Sequence, residues 1–201
     1  MRLISAAAIA AAFAFLLPSL ALADGTAAPA TAPAAADAAA APPGSIRFVA
    51  QNRVATADGQ FRRWKIASAK IDEQHPENSE VVVEVDVASI DTANQKRDDH
   101  LRAADFFEVA RFPTATARLR GFRPAGPDRY AVDVELDLHG TKKTFPMEFR
   151  VTDRAARRYV AETKIRRTDF GIGSPHSSLN PLSVDEDVVL KVEGTVPTAA
   201  P

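Results

Sequence analysis

From Ile46 to Val196 the hydrophobic positions of the chain recur with a period of two. In SEVVVEVDVA (79–88), Val81, Val83, Val85 and Val87 share one face, while Glu80, Glu84 and Asp86 take the other. RYAVDVELDLHG sets Tyr130, Val132, Val134, Leu136 and Leu138 against Asp133, Glu135 and Asp137. In EDVVLKVEGTV, Val188, Leu190, Val192 and Val196 oppose Val189, Lys191, Glu193 and Thr195. Such alternation predicts half-buried strands, one face in a core and the other in water. Weaker versions mark strands at 46–54 (Ile46, Phe48, Ala50), 59–71 (Phe61, Trp64, Ile66), 114–122 (Ala115, Ala117, Leu119), 143–152 (Phe145, Met147, Phe149, Val151) and 158–167 (Tyr159, Ala161, Thr163, Ile165). The slip of phase between Phe61 and Trp64 predicts a bulge. Pro146 cannot donate to a ladder, so its strand should have an edge, a bulge or an end there. Polar turns at 73–78 (EQHPEN), 123–128 (RPAGPD) and His139-Gly140 separate the strands.

Only Ala93–Ala110 resists this reading, and its spacing predicts a short helical crossover of two or three turns between the third and fourth strands. Phe112, before Pro113, should re-enter the sheet. Eight antiparallel strands with one apolar face make a sandwich or a barrel, and closure alone removes the exposed edges. The charged face (Glu84, Asp86, Asp133, Glu135, Lys191, Glu193) must look outward. That is the reverse of an outer-membrane barrel. An eight-stranded lumen either fills with side chains or holds one slender ligand.

The N-terminus changes the compartment rather than the fold. MRLISAAAIAAAFAFLLPSLALA has an early Arg, an apolar run and a small-x-small exit, the features of a secretory signal peptide (1–23) cut after Ala23. The competing reading, an uncleaved anchor, has an Ala-rich run broken by Pro18 and barely long enough to span. Residues 24–43, DGTAAPATAPAAADAAAAPP, have no apolar face and several prolines, so they predict an extended, partly disordered linker before a domain at 44–197. The expected address is the periplasm. The chain has no cysteine, which excludes a disulfide, a lipobox and thiol catalysis. Its formal charge is −1 and offers nothing to nucleic acid.

The densest chemistry is SIDTANQKRDDHLRAADFF (89–107). Asp98, Asp99 and His100 look like metal ligands, yet adjacent helical residues point about 100° apart and do not converge on one ion. The other histidines, His75, His139 and His176, fall in predicted turns. Neither G-x-S-x-G nor H-E-x-x-H occurs. One dyad, Asp169 with His176, is conceivable, but Asp169 more simply holds its own turn. No catalytic residue and no metal are assigned, and an enzyme is not expected.

Ser89-Ile-Asp-Thr-x-Asn94, Arg97-Asp-x-His-Leu101, Asp105-Phe-Phe-Glu-Val-Ala-Arg-Phe-Pro113, Leu138-His-Gly-Thr-Lys-Lys143 and Arg167-x-Asp-Phe-Gly-Ile-Gly173 together resemble the YceI-like family. These are exported, lipocalin-like β-barrel proteins associated with binding polyisoprenoids. The resemblance runs from about Ile46 to Val196, with its blocks in order; the family's opening aromatic-x-x-Asp…His-Ser run is missing. It implies an all-β, eight-stranded antiparallel barrel with one crossover helix. It also implies that RDDH anchors that helix. Ser89, Asp91 and Thr92 suit turns and caps, Arg97 and Asp98 bridge helix and rim, and His100 belongs to the same structural motif. Leu101, Phe106 and Phe107 turn inward.

The inward positions alone fit a solid core and a tunnel equally; the resemblance tips the reading to a tunnel. Its lining is then Phe48, Phe61, Val83, Val85, Leu101, Phe106, Phe107, Leu119, Val134, Leu136, Phe149, Ile165 and Phe170, with hardly a polar atom. The ligand would be a hydrophobic small molecule, an isoprenoid lipid or a quinone, with its head at the mouth beside Arg or Lys, and no other cofactor. A membrane redox protein served through the linker is the alternative reading, an enzyme acting on an amphiphile the third. A homodimer is a candidate assembly.

Overall fold

The computed structural model describes residues 42–196. The expected signal peptide (1–23) and the expected linker as far as Ala41 lie outside the described residues. Ten strand segments, β1 (Gly44–Gln51), β2 (Thr56–Phe61), β3 (Trp64–Lys70), β4 (Glu80–Asp86), β5 (Ile90–Asp91), β6 (Thr114–Gly126), β7 (Arg129–Leu138), β8 (Thr141–Asp153), β9 (Arg158–Arg166) and β10 (Asp187–Thr195), accompany one helix, α1 (Gln95–Arg102). Every pairing is antiparallel. The hydrogen-bonded order is β3-β4-β6-β7-β8-β9-β10-β1-β2-β5.

The two ends of that order belong to the same pair of strands. Only Arg62-Arg63 separates β2 from β3, and only the turn Val87–Ser89 separates β4 from β5. Arg62 N–H donates to Ser89 O (3.1 Å) and Asp86 N–H to Arg63 O (3.0 Å) across this break. The ten segments are therefore eight strands of a closed ring, two of them kinked at one level. The barrel stands as expected. The expected bulge between Phe61 and Trp64 is instead this paired kink, where Ser89 Oγ accepts from Arg63 N–H (3.0 Å) and donates to Asp86 O (2.6 Å). The true bulge comes later, between Ile66 and Ser68.

Other boundaries shift for local reasons. The first strand ends at Gln51, because Asn52 Oδ1 accepts from Val54 N–H (2.9 Å) and Ala55 N–H (2.8 Å) and turns the chain. The residues read as a turn at 123–128 continue β6 as far as Gly126, after a register shift between Arg120 and Arg123. Phe112 does not re-enter the sheet; it follows the turn at 109–111, its N–H donating to Glu108 O (2.9 Å), and β6 begins at Thr114. The β7–β8 turn is the expected His139-Gly140, both with positive φ (53° and 72°), which suits a tight hairpin. A side chain at Gly140 would collide with the Phe112 ring.

Cross-strand partners share a face, so the register fixes the interior. Trp64–Val85–Ala115 and Ile66–Val83–Ala117–Leu136 form rows across β3, β4, β6 and β7, and Ile46–Val192–Ala161–Phe149 runs across β1, β10, β9 and β8. The polar outer face carries pairs such as Lys65–Glu84 (3.1 Å), Arg120–Glu80 (2.7 Å) and Arg123–Asp133 (2.8 Å). The hydrogen bond from Arg123 holds the Asp133 carboxyl below the ordinary range for aspartate.

Candidate functional site

The interior is closed at its two ends and loose between them. At the end carrying α1, Val87, Ala115, Leu138, Phe170 and Ile172 form a buried cluster, with Phe61, Val85, Phe106, Phe107, Val109, Leu136 and Ile165 packed against it. At the other end, Val81, Phe122, Val132 and Val134 form a second cluster, flanked by Ile66, Val83, Ala117, Leu119, Phe145, Met147 and Phe149. Aromatic rings reinforce both: Phe61 lies 5.7 Å from Phe48 and 6.2 Å from Phe107, and Phe149 stacks on Tyr130 at 5.3 Å. Yet Val83, Val85, Ala117, Leu119, Leu136, Ile165, Val188, Leu190 and Val192 face inward and are only half-buried. A close-packed core would cover them.

Of the expected lining residues, Phe48, Val134 and Phe170 are fully buried members of the wall and the ends, at 8%, 4% and 2% exposure. Phe61, Val83, Val85, Phe106, Phe107, Leu119, Leu136, Phe149 and Ile165 are half-buried and inward. Leu101 is the exception: half-buried on α1, it joins neither cluster. The interior is also less apolar than its sequence pattern implied. Lys143 and Thr163 sit at inward register positions, opposite Leu136 and Leu190.

One seam interrupts the ring. The β8–β9 ladder covers only Phe149–Asp153 and Arg158–Ala161. Thr141–Glu148 pair with β7 and Glu162–Arg166 with β10, but the two stretches do not pair with each other. Pro146 lies in this stretch, opposite Asp133 on β7, so its missing N–H falls where β8 is an edge. A shallow concavity of about 680 Å³ on the outer face beside the seam is lined by both signs of charge, among them Arg47, Asp58, Arg150, Glu162 and Lys191, and does not belong to the interior.

The RDDH segment is an anchor whose members point apart. Asp98, 5% exposed, accepts from Thr92 N–H (2.9 Å) and Thr92 Oγ1 (2.5 Å). Arg97 donates to Thr92 Oγ1 (2.8 Å) and Thr92 O (2.7 Å). Asp99 accepts from Gln95 Nε2 (2.7 Å) and Arg102, while His100 meets Asp105 (2.8 Å). That bond is the first cause holding the Asp105 carboxyl low. Asp91 accepts from Ala93 N–H (3.0 Å) and pairs with Arg62, both of which lower its pKa, the backbone bond first. Of the residues expected in turns and caps, Ser89 and Asp91 fill turn roles, Ser89 at the barrel kink, while the helix cap itself is Asn94, accepting from Arg97 N–H at 3.0 Å. Asp98→Ala leaves the Thr92 N–H and hydroxyl without their acceptor and is expected to cost about 1–3 kcal/mol. Thermal unfolding measures that loss, and elemental analysis should find no stoichiometric metal released by the change.

Asp169 is exposed, and His176 lies 3.6 Å from Asp185 instead, so the conceivable dyad does not form. The turn read as held by Asp169 is held by Arg167, buried at 6% exposure, which donates to Asp185 O (3.0 Å), Ile172 O (2.7 Å), Ser174 O (2.7 Å) and Val184 O (2.8 Å). Burial is the leading cause of its lowered pKa. Sequence reasoning missed Arg167 as the clamp of the 167–186 segment, and Arg102, which donates to Ala88 O (2.9 Å) and Ile90 O (2.7 Å). It also missed Trp64, inward, 6% exposed and without an acceptor for its indole N–H among the described residues. A lone Trp on an inward strand position was a signal within reach.

A family model for the YceI-like domain matches residues 39–196. A UPF0312 protein of Azotobacter vinelandii is 34% identical over 145 residues, covering 68% of this chain and 72% of that protein. Protein YceI of Escherichia coli O157:H7 is 32% identical over 130 residues, 61% of this chain and 66% of that protein, so the chain spans just under two thirds of it. Among solved structures, Burkholderia cenocepacia BcnA superposes with a TM-score of 0.67 at 22% identity, over 75% of this chain and 94% of that one. A polyisoprenoid binding domain from Saccharophagus degradans, implicated in plant cell wall breakdown, superposes with a TM-score of 0.56 at 20% identity, over 76% and 92%. At these identities the two structures share the fold with this chain.

Proposed function

Since the chain belongs to the YceI-like domain family, we propose that it is an exported, periplasmic carrier that binds an isoprenoid-like lipid inside its barrel. The observation that carries this reading is the band of inward Val, Leu, Ile and Ala residues left half-buried between two closed ends. An unfilled apolar space has no partners for water and takes an apolar guest. The β8–β9 seam is the route in, because the buried clusters close the barrel axis at both ends. The Saccharophagus degradans domain of the same fold, a polyisoprenoid binder, supports the choice of guest.

Each buried CH₂ contributes roughly 0.8 kcal/mol, less the cost of ordering the chain. Affinity should therefore rise with the number of prenyl units and level off once the tail fills the space. Titration with a series of all-trans prenyl alcohols measures this, beside mass spectrometry of a solvent extract of the native protein. A flat series together with an empty extract would show that the barrel is a plain core. A quinone-headed lipid and delivery to a membrane redox protein are finer versions of the same reading. The first is tested in that extract, the second by co-purification.

A further inference from the structure

We propose that the tips of two loops, 52–55 and 177–183, form a membrane-docking surface that sets the barrel on a neutral lipid bilayer with its seam toward the lipid. The docking stands on its own observations; only its use for loading rests on the carrier reading. Among the described residues the exposed large apolar side chains are Val54 (64%), Leu179 (94%) and Leu182 (66%). Apolar residues scattered singly over a surface need no explanation, whereas these three stand on neighbouring tips. Asn52 joins the tips: its Oδ1 accepts from Val54 N–H (2.9 Å) and Ala55 N–H (2.8 Å), and its Nδ2 donates to Leu182 O (3.4 Å). At the loop bases Asp185 N–H donates to Gln51 O (2.7 Å). The second loop is built to hold its leucines out. Arg167 grips both of its stems, through Ile172 O and Ser174 O on one side and Val184 O and Asp185 O on the other. Ser183 Oγ accepts from Ser177 N–H (2.9 Å) and closes the tip, and Asn180 Oδ1 accepts from Leu182 N–H (3.0 Å) within it. These bonds keep two leucines in water, where each forgoes the stabilisation of burial.

The occupant follows from charge, area and place. From Gly171 to Val184 the chain has no Asp, Glu, Lys or Arg, and Arg53 is the one charged residue of the 52–55 tip. His176, the titratable group of the longer loop, is turned to Asp185 (3.6 Å). Three side chains on protruding tips fall well short of the roughly 800 Å² that each partner gives to a stable protein interface. Insertion into lipid needs no complementary surface, and its strength grows with the apolar area immersed. Arg53 can keep its charge at the headgroup level with its stem along the acyl boundary. Place agrees with this. The unpaired stretches of the seam begin beside the His139-Gly140 turn on β8 and end at Arg166 on β9. Arg166 runs through the turn Arg167–Phe170 directly into the 171–186 loop. A tip seated in the bilayer therefore brings the open end of the seam to the lipid.

Vesicles of phosphatidylcholine and phosphatidylethanolamine, free of isoprenoid, test this. The wild type should float with them at low and at high salt alike, because the contact is apolar. Leu179→Asp combined with Leu182→Asp should weaken partitioning by about tenfold or more. Both positions are exposed, so the double variant should fold as the wild type does, and its titration with prenyl alcohols in solution should be unchanged. The cysteine-free chain permits a local readout. An environment-sensitive dye on Leu179→Cys should shift to the blue when vesicles are added. The same dye on Ala156→Cys, in the β8–β9 turn at the opposite end of β9, should not. A wild type that stays off the vesicles, a double variant that binds them equally, or equal dye shifts at the two positions overturns the docking, while the carrier reading stands or falls by its own titration. Self-association of the wild type without vesicles, lost in the double variant, would assign the tips to a second copy of the chain and overturn the proposal likewise.

Discussion

Val132→Asp is expected to abolish folding of the barrel or to cost about 4 kcal/mol or more, while Glu135→Ala on the same strand changes stability by no more than about 0.5 kcal/mol. Val132 is 0% exposed, in the buried cluster with Val81, Phe122 and Val134. A carboxylate there meets no cation and no donor, because its cross-strand partner is Met147. It must enter an apolar box charged or take up a proton, and both are costly. Glu135 looks outward, opposite Arg118 and Thr144, where water solvates either side chain. The position matters as much as the face. Val85 and Leu136 also point inward but are half-buried, so Asp at either should cost less than at Val132. Chemical denaturation of the four variants gives the ranking. Equal losses at Val132 and Leu136 would mean that the interior is packed alike throughout.

The strands were legible because period-two alternation is a local signal that survives into a sheet with one wet face. Val81, Val83, Val85 and Val87 face inward as their spacing implied, and so do Ala117 and Ala161. The kink at Arg62-Arg63 was visible only as a change of phase; whether one strand bulges or two strands kink together depends on Ser89, far away in sequence. Turn residues misled at 123–128, where the twisted end of a long hairpin carries Pro and Gly within the ladder. Pro146 marked an edge, a bulge or an end, and its spacing could not say which or where. Its cause is a partner strand that diverges after Ala161, and no local pattern records that. The inward-facing apolar positions were legible in the sequence, and the polar contacts were not. Arg167 and Arg102 act on backbone carbonyls, which any sequence supplies everywhere. The unpartnered Trp64 is defined by the absence of a neighbour.

The seam gives the last test, and the cysteine-free chain makes it clean. Extending the β8–β9 register by one inward position beyond Phe149 and Ala161 sets Met147 toward Thr163. Met147→Cys with Thr163→Cys then places the protein's only two thiols on either side of the opening. Bridging them with a short, cleavable bismaleimide should slow loading of a prenyl alcohol by on the order of tenfold or more, and cleavage of the bridge should restore the rate, since a closed gate limits exchange without altering the cavity behind it. Ser45→Cys with Glu193→Cys is the control: these positions pair in register on the outer face of β1 and β10, and bridging them should leave loading unchanged. Stopped-flow quenching of the single tryptophan follows all four states. Loading at the unbridged rate through a bridged seam would move the entrance to one end of the barrel, where the Phe106–Phe107 segment or the 71–79 loop would have to swing aside. The seam is favoured because opening it breaks no existing ladder, whereas either end must first uncover a buried apolar cluster.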